Sequence, residues 1–332
     1  SANNKKGKSM NGINKLLMAA TALSFSMMSN VSAQSFEMKL VGATINDTNH
    51  EYLLEFERRI EKKTEGRIQA TVYPAGQLGG ISQMVEGVIL GTVELYLVPP
   101  EFLSGINPAF GVVSAPGLLR DQEHAIATTQ DPEFYDMFTN LASEQGVLGV
   151  SYYVYGPSAY IMKTPADTMA DIKGKKVRVL ASDVEQATMQ AIGATGVPMP
   201  FGEVLAAISQ GVLDGARTSY GGPAGGGWYE SAPYVLEAGD SYVTMMAIVS
   251  KGWLATLPED LQQAVVEVGI EMNEYNNAYA KQFLSEMKTI WEDGGGTVKQ
   301  LDPAEKQDLM SALAPIGAKV FTDASSKAMY ET

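Results

Sequence analysis

From Pro258 to Glu292 the sequence places Leu261, Val265, Val268, Met272, Tyr275, Tyr279, Phe283, Met287 and Ile290 at steps of three and four. Thr256-Leu257-Pro258-Glu259 has the form of a capping box with proline at the first helical position, and Gly294-Gly295-Gly296 closes the run. The pattern predicts one helix, about 52 Å long at 1.5 Å per residue, which is longer than one small domain is wide. Such a stripe must be buried along two bodies of the same chain, or against a second copy in a coiled coil. It drifts from a strict heptad, which favours burial within one chain. At 332 residues the chain has room for two domains.

The preceding sequence supplies the material for those bodies. Phe36 to Val41 reads as a strand, and Thr48-Asn49-His50-Glu51 as a capping box opening a helix with Tyr52, Leu53, Phe56 and Ile60 on one face. Arg67 to Tyr73 alternates as a strand, Gly76 to Gly80 forms a loop, and Ile81 to Leu90 reads as a second helix. Glu94 to Val98 is a third strand, stopped by Pro99-Pro100. This β-α-β-α-β order predicts a parallel sheet flanked by helices. Strands recur near Leu148–Val154 and Lys176–Leu180, the latter before a helix that Ser182 and Glu185 can cap. The expected class is therefore α/β, in two lobes. The glycine-rich stretch Gly221-Gly222-Pro223-Ala224-Gly225-Gly226-Gly227 reads as a flexible loop.

The beginning of the chain reads as a targeting segment. Lys5, Lys6, Lys8 and Lys15 precede a mostly apolar run from Leu16 to Met28, followed by Val31-Ser32-Ala33. The run spans only about 20 Å, too short for a bilayer, and small residues at its end suit cleavage. Residues 1–33 are thus expected to be a signal peptide and the mature protein to be periplasmic.

Charge and composition exclude several functions. Lysine and arginine total 24 against 38 acids, a net charge of −14, and beyond residue 33 the balance is 20 against 38, or −18. So acidic a body repels a phosphate backbone, which excludes nucleic acid as a partner. Without cysteine there is no disulfide, thiolate metal site or thiol nucleophile, and His50 and His124 are the only imidazoles. No nucleophile-elbow, zinc-helix, calcium-loop, P-loop or dinucleotide signature occurs. Neither catalysis, nor a cofactor, nor a metal is expected.

Three runs then stand in register: Gly174-Lys175-Lys176-Val177-Arg178-Val179, Gly193-Ala194-Thr195-Gly196-Val197-Pro198-Met199-Pro200-Phe201-Gly202-Glu203-Val204, and Gln210-Gly211-Val212-Leu213-Asp214-Gly215. With Tyr73-Pro74-Ala75-Gly76-Gln77-Leu78-Gly79-Gly80 and Glu86-Gly87 upstream, the chain resembles the DctP-type solute-binding proteins of tripartite ATP-independent periplasmic (TRAP) transporters, from about residue 36 to 300. The resemblance implies a two-lobed periplasmic binding protein fold, each lobe a mixed sheet flanked by helices, with the long helix spanning both. It implies lobe I from 34–154 and 243–283, and lobe II from 155–242 and 284–332. It also implies a small organic acid as ligand and the membrane subunits of a TRAP transporter as partners. A monomer is expected.

The residues themselves point the same way at Arg178. Val177 and Val179 alternate with it, so its guanidinium faces away from the core, near the carboxyl end of a strand where open α/β sheets place ligands. There it can grip a carboxylate through two parallel hydrogen bonds, or pair with an internal acid. In the family the matching arginine holds the ligand's carboxylate, Phe201 matches an aromatic lining the cleft, and Thr218 stands where an asparagine is common. Two departures accompany these matches. Ser158 stands where many relatives carry a second arginine, and Ala216-Arg217-Thr218 replaces a Gln-Glu-Asn run. Arg217 is a candidate for a second anionic subsite, or for an internal pair with Asp214 or Glu203. Glu101 and Asn46 lie in loops that can reach the cleft or stay solvated. Two other functions compete: a ligand-sensing periplasmic subunit of a signalling receptor, and an exported isomerase or lyase using Tyr153, Tyr155 or carboxylates.

Overall fold

The structure, a computed structural model, describes residues 35–332. The signal segment expected at 1–33 lies outside them. Residues Ser35–Thr332 form one compact unit containing two sheets.

The first part of the chain runs β1 (Phe36–Gly42), α1 (Thr48–Lys63), β2 (Ile68–Tyr73), α2 (Ile81–Leu90), β3 (Leu95–Val98), α3 (Gln122–Gln130), α4 (Pro132–Thr139) and β4 (Val147–Pro157). Next come β5 (Ala159–Met162), β6 (Lys176–Val179), α5 (Asp183–Ala191), β7 (Thr195–Pro198), α6 (Phe201–Ser209), β8 (Gly215–Thr218), α7 (Gly221–Gly225) and β9 (Tyr234–Glu237). The last part holds β10 (Tyr242–Ser250), α8 (Lys251–Leu254), α9 (Glu259–Asp293), β11 (Thr297–Gln300), α10 (Pro303–Leu313), α11 (Ile316–Val320) and α12 (Ala324–Glu331).

One sheet has the order β2-β1-β3-β10-β4 and the other β11-β9-β5-β8-β6-β7. The strands joined through α1 and α2 are parallel to one another, as the β-α-β-α-β reading requires, while β10 is antiparallel to both β3 and β4. In the second sheet β6 is parallel to β7 and β8, and β5 is antiparallel to β8 and β9. Both sheets are mixed, and the architecture is the two-lobed one expected. The chain passes between sheets after β4, after β9 and along α9. The final helix α12 leaves the second lobe and packs on the first, against residues 108–114 and α4, with Ser326 and Met329 buried there.

Helix α9 consumes its apolar stripe within the chain. Leu261, Val265, Val268 and Met272 join the core behind β1 and β4, and Phe283, Met287 and Trp291 join the core of the second sheet. The stripe turns at its end, leaving Ile290 exposed and burying Trp291, because steps of four from Phe283 follow the helical period. Helix and strand approach so closely that a Cβ on Gly269 would collide with the Val150 carbonyl. Between the apolar halves, Asn273 accepts from the Ser151 hydroxyl and the Tyr152 N–H at 2.8 Å each. Asn277 accepts from the Val154 N–H at 3.0 Å, and Asn276 donates to the Thr48 carbonyl at 3.2 Å. Asn273 and Asn277 thereby satisfy outward N–H groups of β4, an edge strand that would otherwise need another partner, while Asn276 ties α9 to the start of α1.

Four local expectations are corrected. Asp47, not Thr48, caps α1, its carboxylate accepting from the His50 N–H at 3.0 Å. Ser182 occupies the N-cap position of α5 without a capping bond, and its hydroxyl is buried with no protein partner. Thr256 does not cap α9; its hydroxyl turns back to the Trp253 carbonyl. Gly221–Gly225, read as a loop, forms the short helix α7, packed so tightly that a Cβ on Gly225 would meet the Asn46 carbonyl at 2.6 Å.

Candidate functional site

A cavity lies between the two sheets, at the carboxyl ends of β1, β3, β6 and β8. Counted out to its mouth it holds about 480 Å3 of empty space. Parallel strands in open α/β sheets leave such crevices beyond their carboxyl ends, where polar side chains and helix starts converge. Pro99 and Phe102 come from the turn after β3, and Thr44 and Asn49 from the turn after β1 and the start of α1. Arg178, Phe201 and Thr218 come from the second lobe.

Arg178 is the charged group of this cavity. Val177 and Val179 are fully buried in the core, so the alternation of β6 turns Arg178 to the opposite face. Its Nε donates to the Met199 carbonyl at 2.8 Å, and its Cζ lies 5.9 Å from the centre of the Phe102 ring. The residue is 1% exposed, yet among the described residues no carboxylate comes within 4.0 Å of its guanidinium, and Nη1 is buried without a partner. Burial lowers its pKa to about 10, while the more distant Glu185 and Glu101 act to raise it. The group stays cationic at neutral pH, held with one edge unsatisfied. That is the electrostatic condition for gripping an anion from outside the chain.

The other expected residues divide. Phe201 opens α6, stacks on Trp228 with ring centres 4.9 Å apart, and forms part of the cavity wall. Thr218 ends β8 and lines the cavity beside Ser219, whose hydroxyl is buried without a partner.

Arg217 departs from the reading of a second anionic subsite, because the strand turns it to the other side. Its guanidinium donates to Glu185 at 2.5 Å, to Asp240 at 2.8 Å and to the Ser241 hydroxyl at 2.6 Å, all of them buried. Its partners are neither Asp214 nor Glu203; Asp214 accepts from the Lys176 N–H instead. Ser241 in turn donates to Ser158.

Glu101 is fully buried behind the cavity rather than in it, accepting a short bond from the Ser114 hydroxyl, and burial raises its pKa to about 8. Asn46 is exposed, at φ 57°, outside the cavity wall.

The sequence reading missed the polar wall contributed by the first lobe. Tyr155 donates to Asp47 at 2.8 Å, Tyr153 to the Asn49 side-chain Oδ1 at 2.6 Å, and the Asn49 amide to the Thr44 hydroxyl at 3.3 Å. Asn49 sat in a quartet read as a helix cap, which hid it. Burial raises the phenols of Tyr153 and Tyr155 well above their ordinary value, so both remain protonated and unsuited to proton abstraction. Among the described residues no group of three or more His, Asp or Glu side chains is placed to hold a metal.

A family model described as bacterial extracellular solute-binding protein, family 7, or DctP, matches residues 42–323. The chain belongs to this family. Its members bind solutes rather than transform them. A solute-binding protein of Chromohalobacter salexigens is 26% identical over 301 residues, covering 90% of this chain and 85% of that one. A TRAP periplasmic solute-binding protein of Shewanella oneidensis, solved with bound succinate, superposes with a TM-score of 0.83 at 25% identity, covering 90% of this chain and 97% of the other. Another from Xanthobacter autotrophicus Py2, solved with β-D-galacturonate, gives 0.82 at 25% identity over 89% and 98%. The DctP-family chain described here is thus a TRAP-type solute-binding protein.

Proposed function

We propose that the protein captures a small organic acid between its lobes, with Arg178 holding the acid's carboxylate. It then delivers the acid to the membrane subunits of a TRAP transporter, acting in the periplasm after removal of residues 1–33. The observation that carries this reading is a buried guanidinium at the cavity with no carboxylate partner among the described residues. Succinate and galacturonate in the two similar structures support the class of ligand. Phe201, Phe102 and the apolar wall enclose the carbon skeleton, and Thr218 and Ser219 offer hydroxyls to the same ligand.

In this reading residues 34–154 and 243–283 move as one lobe and 155–242 and 284–332 as the other, except that Tyr155–Pro157 complete β4 and Tyr242 opens β10, so these stay with the first lobe's sheet, and α12 crosses between the lobes. The test is calorimetry of Arg178→Gln against wild type with a panel of organic acids. Removing one partner of a buried charge pair costs about 2–5 kcal/mol, so affinity should fall about 30- to several-thousand-fold. Affinity unchanged within about threefold would remove Arg178 from the site.

A further inference from the structure

On the reading of Arg178 as the carboxylate anchor, we infer that Glu101 is an internal competitor of the ligand. Arg178 takes an external carboxylate only while the Glu101 carboxyl holds a proton, so capture of the acid is coupled to a proton.

The first ground is the placement of Glu101. It sits in the turn Pro100–Leu103 after β3, fully buried, next to Phe102, whose ring lines the cavity and faces the Arg178 guanidinium. Among the described residues no lysine, arginine or histidine comes within 4.0 Å of its carboxyl. The Ser114 hydroxyl donates to Oε1, and Oε2 is buried without a partner. Few other groups face it. Residues 108–114 carry no titratable side chain, and the acid of α2, Glu86, is exposed. Strand β10 brings Thr244, which holds the Tyr152 hydroxyl of β4, and burial keeps that phenol neutral. From the second lobe, Glu185 of α5 opposes ionisation of Glu101 and Arg178 of β6 favours it.

The second ground is the balance of buried charge. Arg217 carries one positive charge against the two negative charges of Glu185 and Asp240, and Arg178 restores neutrality. Ionised Glu101 would tip this balance by one negative charge, and so would a ligand carboxylate. Both together leave two buried negative charges in excess, which a protein interior does not tolerate cheaply. The two anions therefore compete for one guanidinium, the ligand from the cavity and Glu101 from within the protein. Burial pushes the Glu101 carboxyl up to about 8, so at neutral pH it is protonated and leaves Arg178 to the ligand. A bound carboxylate pushes it further up, so above about pH 8 each capture takes up a proton.

The experiment has two arms. The first follows the infrared carbonyl stretch of protonated carboxyl groups in protein freed of any bound acid, wild type minus Glu101→Gln. The expected result is a Glu101 band at neutral pH, lost as pH rises through about 8, and lost only at higher pH in Arg178→Gln, where the favouring cation is gone. No such band, or a loss unmoved by Arg178→Gln, would overturn the inference. The second arm is calorimetry with galacturonate and succinate in two buffers of different ionisation enthalpy. Wild-type affinity should fall about tenfold between about pH 7 and 9, with net proton uptake at the upper end, while Glu101→Gln binds with little dependence on pH. An equal fall in both proteins would overturn the inference and leave the anchor standing, whereas affinity unchanged in Arg178→Gln would remove the anchor itself. Should neither acid bind, the infrared arm decides alone. Should Glu101→Gln not fold, Ser114→Ala identifies the band instead, because loss of the serine bond shifts its frequency.

Discussion

Two buried arginines, one with carboxylate partners and one without, should respond to removal in opposite ways. Arg178 is held desolvated by the fold: its guanidinium is drawn well below the ordinary arginine range, to about 10, chiefly by burial. At about 1.4 kcal/mol per pH unit, this corresponds to a native-state penalty of about 3 kcal/mol for keeping the charge. Replacing it with methionine lifts that penalty and forfeits the bond to the Met199 carbonyl, worth about 1 kcal/mol. The ligand-free Arg178→Met protein should therefore be more stable than wild type by about 1–2 kcal/mol. Arg217→Met does the reverse. It strands Glu185 and Asp240, both buried, and should cost about 3–5 kcal/mol. Urea unfolding of protein freed of any bound acid measures both. If Arg178→Met loses stability as Arg217→Met does, Arg178 is an internal structural group and the argument that it awaits an external anion is refuted.

Gly269→Ala pits helix propensity, which favours alanine by about 1 kcal/mol, against a collision with the Val150 carbonyl. The collision should win, with net destabilisation of about 2 kcal/mol or more in urea unfolding; a gain in stability would show that α9 does not approach β4 so closely. Glu101 is held by burial at about 8 in the folded state against an ordinary 4.5, so the native state keeps this proton longer than the unfolded chain does. Its contribution is therefore lost as pH rises from about 5 through 8, and Glu101→Gln should flatten that fall in a pH series of unfolding curves; equal slopes in both proteins would contradict the assignment.

The periodic features of the fold were legible because a period needs no partner to be seen. The α9 stripe and the alternation that turns Arg178 away from the core are both of this kind. What stayed hidden depended on residues brought from far along the chain. Arg178 and Arg217 are the same side chain on adjacent strands, and nothing local separates a ligand-facing one from an internally paired one. The difference lies in Glu185 and Asp240, which only the folded chain places beside Arg217. Asn273, Asn276 and Asn277 stand beside an apolar stripe, and only the folded chain shows them buried against β4 and the start of α1. Thr48 and Thr256 matched a capping pattern, but each lost the role to geometry that the local sequence does not encode.

The dependence of β4 on α9 has a consequence for how the chain is made. Strand β4 ends at Pro157, but its partner within the sheet, β10, begins at Tyr242, and the helix whose asparagines occupy its outer edge begins only at Glu259. A polypeptide emerging from its N-terminus therefore carries the longest strand of the molecule with both edges bare until those later segments appear. Such an edge pairs readily with another chain, and the distant contacts needed to cover it make folding slow. The nascent protein is thus most exposed to self-association while residues 158–241 are being produced, before β10 and then α9 arrive, which is when a holding chaperone would matter most.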